Sequence, residues 1–126
     1  MTIQDRLLGE GSLTATPGGF DLAIRLPWYR SLPMSTIEPA ELRVNGRPID
    51  LDAVRIRING KTIPNSELRE RTDEFWFVLD PLTLEVRDTL VKSGDDVNVE
   101  FTLNVYPPYI PGMCWVTRAS KRLHAR

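Results

Sequence analysis

The 126-residue chain has one cysteine and one histidine. With Cys114 alone no intrachain disulfide can form, so a reducing, cytoplasmic setting is expected. Cys114 has no basic neighbour in sequence to stabilise a thiolate, and it reads as a packed thiol. His124 falls near the end of the chain, where no rigid element is predicted. A histidine-ligated metal site or a serine–histidine dyad needs the ring held by such an element. Excess charge of either sign is missing too. Sixteen basic against seventeen acidic residues give a net charge of −1, which offers no electrostatic case for nucleic acid or for a membrane surface. No apolar run approaches the length of a membrane span. The opening residues, MTIQDRLLGEG, have neither the basic nor the apolar region of a signal peptide. A glycine-rich phosphate loop is absent. The carboxylate pairs Asp50/Asp52, Asp73/Glu74 and Asp95/Asp96 lie in or beside turns, where Asp commonly bonds its own backbone. No catalytic residue and no metal ligand is therefore assigned to this chain.

Proline and aromatic residues are what the chain does have, and they are concentrated. Leu26–Pro39, LPWYRSLPMSTIEP, is the one long segment that neither alternates nor reads as a polar turn. Pro27, Pro33 and Pro39 punctuate it and each fixes φ. Trp28, Tyr29 and Arg30 lie between them, the side-chain types most enriched at the centres of binding surfaces. The plainer reading is that Trp28 plugs one end of the core. A second rigid segment follows the last clear strand: Tyr106, Pro107, Pro108, Tyr109, Ile110, Pro111 and Gly112. Two exposed aromatic segments would leave an apolar patch larger than monomers usually show, so self-association or poor solubility of the lone chain is expected.

Elsewhere the pattern has a period of two. Phe20, Leu22, Ile24 and Leu26 alternate after the turn residues Pro17, Gly18 and Gly19, as in a hairpin with one buried face. Glu41–Val44 and Val54–Ile58 each end in Asn-Gly, at Asn45-Gly46 and Asn59-Gly60, the dipeptide that type I′ turns demand. Pro48 then belongs to an edge strand or a very short one. Asn65–Arg71 has the makings of one helical turn capped by Asn65 or Ser66. Phe75–Leu79, FWFVL, is nearly continuous apolar and predicts a central strand covered on both faces. Asp88–Gly94 reads as a capped turn. Val97, Val99, Phe101, Leu103 and Val105 give the cleanest strand, and Met113–Thr117 a short last one. Arg118–Arg126, with Arg118, Lys121, Arg122 and Arg126, reads as a flexible basic tail. The whole, residues 1–126, is predicted to be one all-β domain, an antiparallel β-sandwich of about eight short strands.

The phrase Leu26-Pro27-Trp28-Tyr29-Arg30-Ser31-Leu32-Pro33-Met34-Ser35, with Val44-Asn45-Gly46 and Asp73-Glu74-Phe75-Trp76-Phe77 after it, resembles the small β subunit of bacterial C-glycoside deglycosidases. The resemblance implies a hetero-oligomer with a larger α subunit, a TIM-barrel protein related to sugar isomerases. That subunit would bind a divalent metal, usually manganese, as a Lewis acid. The substrates it implies are flavonoid C-glycosides already oxidised to 3-oxo sugars. The ketone acidifies the neighbouring C2–H, a base removes that proton, and the C–C bond to the aglycone breaks by elimination. This chain would hold no cofactor of its own and would support the α subunit. Trp28, Tyr29, Arg30 and Pro33 would meet that partner. Tyr106, Pro107, Pro108 and Tyr109 are added to the contact by their chemistry. The alternative is a stand-alone carbohydrate-binding module with Trp28, Tyr29 and Trp115 as stacking platforms.

Overall fold

A computed structural model describes residues 7–88 and 91–126, with the side chains of residues 10 and 11 outside the description. Among the described residues eleven strands run in chain order: β1 (Leu8–Thr16), β2 (Gly19–Arg25), β3 (Leu32–Pro33), β4 (Ile37–Val44), β5 (Arg47–Pro48), β6 (Arg55–Ile58), β7 (Lys61–Pro64), β8 (Phe75–Trp76), β9 (Pro81–Val86), β10 (Asp96–Val105) and β11 (Trp115–His124). Of these, β3, β5 and β8 are only two residues long. The only helical elements among the described residues are short 3-10 turns at Met34–Thr36, Leu51–Ala53 and Asn65–Glu70. The fold is all-β and sandwich-like. A five-stranded antiparallel sheet, β1-β2-β9-β6-β7, accompanies a four-stranded one, β11-β10-β4-β5, and a small β3-β8 ribbon.

Period-two burial builds the core. Val97, Val99, Phe101, Leu103 and Val105 on β10 are buried with Leu42 and Val44 on β4. They join Phe20, Leu22, Ile24, Ile56, Leu82, Leu84 and Val86 of the other sheet in one cluster. Each such side chain contributes roughly 1.5–3 kcal/mol through its removal from water. Both Asn-Gly pairs form the predicted turns, with Asn45 at φ 51° and Gly46 at 82°, Asn59 at 52° and Gly60 at 75°. Pro48 lies on the very short β5, at the edge of its sheet. Gly19 is required by close approach. A Cβ there would stand 2.0 Å from the Val86 carbonyl oxygen, where β2 and β9 pair Phe20 with Val86.

Several expectations are corrected. Residues 118–126 are not a flexible tail. Leu123 pairs with Val97 and is buried, as is Ala125. The last residue closes the sandwich: Ala15 N donates to the Arg126 carbonyl at 2.8 Å, and Arg126 N to the Leu13 carbonyl at 3.1 Å. Arg118 and Arg122 alternate with this inward set while Lys121 is half-buried in line with it, so charge disguised a ten-residue strand. Phe75–Leu79 is not a central strand. Only Phe75 and Trp76 pair with β3, and while Trp76 is buried, Phe75, Phe77 and Leu79 are exposed. Cys114 is exposed rather than packed, and the half-buried Met113 takes the inward place beside it. The 3-10 turn at Asn65–Glu70 has no side-chain cap; Pro64 occupies its N-cap position. The Leu26–Pro39 segment is largely structured from Leu32 onward. Pro39 lies within β4, opposite Leu103, next to a register shift that relieves its missing donor. The capped turn expected at Asp88–Gly94 includes residues 89 and 90, which lie outside the description.

Candidate functional site

The irregular part of the organising segment is thus 26–31, and its position follows from its burial pattern. Leu26, Pro27 and Trp28 turn inward, while Tyr29 and Arg30 face out. Trp28 is 5% exposed and Tyr29 63%, so one residue anchors the loop and the next presents a ring. The second aromatic–proline segment comes to meet it. Trp28 Nε1 donates to the Tyr109 hydroxyl at 2.6 Å, and the Tyr109 hydroxyl donates to that of Tyr29 at 3.1 Å. The Trp28 ring packs tilted against Tyr29 at 5.2 Å and edge-on against Trp115 at 5.6 Å. Arg30 spans both tyrosines, its guanidinium carbon 5.8 Å from the Tyr29 centroid and 5.3 Å from that of Tyr109. Such cation–π contacts hold a long side chain in place without neutralising it. Among the described residues no carboxylate pairs with Arg30.

The electrostatics divide the two tyrosines. For Tyr109 desolvation would raise the phenol, but its hydrogen bonds with Tyr29 and Trp28 and the Arg30 charge bring it below its ordinary range. Tyr29 is raised, chiefly by its hydrogen bond to Tyr109.

Of the residues assigned to the contact from sequence, Tyr29, Arg30 and Tyr109 come together with Trp28. Trp28 and Pro107 are buried, and Trp28 underlies the exposed rings through its contacts with Tyr29 and Tyr109. Tyr106 turns elsewhere: its hydroxyl donates to Glu38 at 3.1 Å, and hydrogen bonds with Cys114 and Glu38 hold its phenol above the usual range. Glu38 also accepts from Asn104 at 3.0 Å and from Arg69 at 3.2 Å. Its carboxyl is lowered, first by the Asn104 bond. Pro108 is exposed. Pro33 is half-buried in β3, opposite Phe75. Trp115, considered in the sequence only as a sugar platform, forms one wall of the cluster. His124 sits on β11 against Asp96 at 2.8 Å, far along the strand from Trp115. Among the described residues no three His, Cys, Asp or Glu side chains gather as metal ligands would, and no helix is long and apolar enough to cross a membrane.

The cluster can offer flat apolar area, one uncompensated cation and an outward hydroxyl, a set suited to recognition. Residues 2–109 match the family described as C-glycoside deglycosidase beta subunit. The chain is 38% identical over 108 residues to the 3'-dehydrocarminate deglycosidase beta subunit of Microbacterium sp, covering 86% of this chain and 81% of that one. It is 35% identical to a C-glycoside deglycosidase beta subunit of Microbacterium trichothecenolyticum, covering 86% and 82%. It is 34% identical, at the same coverage, to one of Arthrobacter globiformis.

Proposed function

Because the chain belongs to the C-glycoside deglycosidase beta subunit family, we propose that it is the non-catalytic β subunit of a heteromeric C-glycoside deglycosidase acting in the cytoplasm. The observation that carries this reading is the Trp28–Tyr29–Arg30–Tyr109–Trp115 cluster, a surface that offers aromatic area and a cation for recognition. The larger α subunit, a TIM-barrel protein, supplies the reaction. There a base takes the C2 proton of a 3-oxo-C-glycoside, acidified by the ketone, and the C–C bond to the aglycone breaks by elimination. Flavonoid C-glucosides are the proposed substrate class. The name of one relative, a 3'-dehydrocarminate deglycosidase, supports a substrate oxidised at the sugar. A divalent ion, manganese by the resemblance, belongs to the α subunit, and this chain's described residues bring together no ligand set that would hold it. The part played here is mechanical. Tyr29, Arg30 and Tyr109 engage the partner, and Trp28 fixes their position from below.

The test is reconstitution. Native mass of the chain alone and mixed with the α subunit is measured, and 3-oxo-C-glucoside cleavage is assayed on each sample. A hetero-complex that cleaves better than either chain alone supports the proposal. A lone chain that ignores the α subunit, leaves cleavage unchanged and binds simple glucosides would instead favour the carbohydrate-binding alternative.

A further inference from the structure

The large hydrophobic side chains left exposed are not scattered. Among the described residues they are Tyr29, Phe75, Phe77, Leu79, Tyr106, Tyr109, Ile110, Trp115 and Val116, and they come from three stretches: the loop, 75–79 and 106–116. Isolated apolar residues on a surface are ordinary, whereas their gathering marks an interface. Both outer stretches are fastened to the loop. Tyr109 and Trp115 lean on Trp28. On the other side Ser31 Oγ accepts from Val78 N at 2.9 Å, and Leu32 pairs with Trp76. Along the chain Arg30 therefore stands between the residue that meets Tyr109 and the residue that holds Val78.

The 75–79 stretch is also built to be rigid. Trp76 is fully buried, and its Nε1 donates to the Asp80 carbonyl at 2.9 Å. Asp80 N donates to the Phe77 carbonyl at 2.9 Å, Asn59 Nδ2 to the Phe75 carbonyl at 2.8 Å, and Arg25 to the Leu79 carbonyl at 2.5 Å. Phe75 and Phe77 stack at 6.4 Å. A backbone bonded at this many points presents Phe75, Phe77 and Leu79 outward in one arrangement, which reduces the entropy lost on docking.

We infer that Phe75, Phe77 and Leu79 form a second apolar bank of the docking surface, and that its occupant is the larger subunit, through an apolar surface carrying a carboxylate opposite Arg30. The inference rests on the subunit reading above. Charge selects this occupant over a second copy of the chain. A two-fold contact centred on the loop would set one Arg30 against another, and like charges brought together in a drying interface are strongly disfavoured. An acidic partner would instead satisfy a cation that has no carboxylate partner among the described residues.

The experiment is titration of the chain with the deglycosidase's α subunit from the same source, read as the Kd of the complex. Phe77→Ser and Leu79→Ser are each expected to weaken binding by about tenfold or more, as truncation of a central apolar contact does. Thr62→Ala, exposed on β7, is expected to leave Kd unchanged. Arg30→Gln is expected to slow association at low salt and to lose that effect at high salt. Phe77 is 52% and Leu79 78% exposed, so both variants keep the wild-type circular dichroism and melting temperature. Wild-type binding with no change in either serine variant would overturn the inference while leaving the subunit reading intact. So would loss of lone-chain self-association alone. Failure of the wild-type chain to bind would remove both.

Discussion

Replacing Trp28 by alanine tests whether the loop is anchored or merely draped. The side chain is 5% exposed and belongs to the core cluster. Its removal strips the packing partner from Tyr29 and Trp115 and the donor from Tyr109. Truncating a buried tryptophan costs about 3–5 kcal/mol, from lost transfer energy and the cavity left behind. Domains of this size have total stabilities of about 5–15 kcal/mol, so the loss is a large fraction of the whole. At roughly 3–5 °C per kcal/mol the melting temperature should fall by about 10–25 °C. Trp28→Phe keeps most of the apolar volume and gives up the indole N–H, and its cost should be clearly smaller. Urea unfolding followed by far-UV circular dichroism, with the m value compared across variants, reads these losses free of the fluorescence change. A Trp28→Ala midpoint within about 0.5 kcal/mol of wild type, the range of ordinary surface substitutions, would refute the anchored loop. The support for Tyr29 and Arg30 would fall with it.

Leu123→Ala should cost about 2–5 kcal/mol in the same assay, because Leu123 is buried on β11. Arg122→Ala, exposed on that strand, should stay within about 0.5 kcal/mol; equal and negligible effects would restore the flexible tail. Gly19→Ala should abolish folding or push the β2–β9 pair apart, since the new Cβ meets backbone rather than a side chain that can move; wild-type stability on melting would contradict that contact. Glu38 has a lowered carboxyl in the fold, so its contribution is present above the unfolded glutamate value of about 4.3 and is lost as pH falls through the folded value. Glu38→Gln should therefore be less stable than wild type at neutral pH, and the difference should shrink on acidification. A difference constant from neutral pH to pH ~3 would count against the Asn104–Tyr106–Arg69 network as its cause.

Local signals carried the parts of the fold that local physics decides. Asn45-Gly46 and Asn59-Gly60 were readable because both residues of the turn need positive φ. The β10 strand was readable because its two faces meet different environments. Phe75–Leu79 departs from the expected central strand because an apolar run looks the same whether its side chains face the core or the surface. Its period of two, with Phe75, Phe77 and Leu79 on one side and Trp76 and Val78 on the other, held the signal. The basic end of the chain hid a similar alternation, Thr117, Ala119, Leu123 and Ala125 against Val116, Arg118, Arg122 and His124. For the site, the residue types in the two aromatic–proline segments were legible, and the LPWYRSLP phrase pointed to the family. Their meeting was not. The Trp28–Tyr109 bond joins residues 81 positions apart, and the Ser31–Val78 bond joins residues 47 apart. Only the packing of the sheets brings either pair together.

Hydrogen exchange of this chain, free and in complex with the α subunit, tests the central claim most directly. It reads which backbone the partner covers without altering a residue. The account predicts new protection across residues 26–33, 75–79 and 106–116, and little change on β1 and β2. Protection confined to another face of the sandwich, or none in a complex that forms, would contradict it.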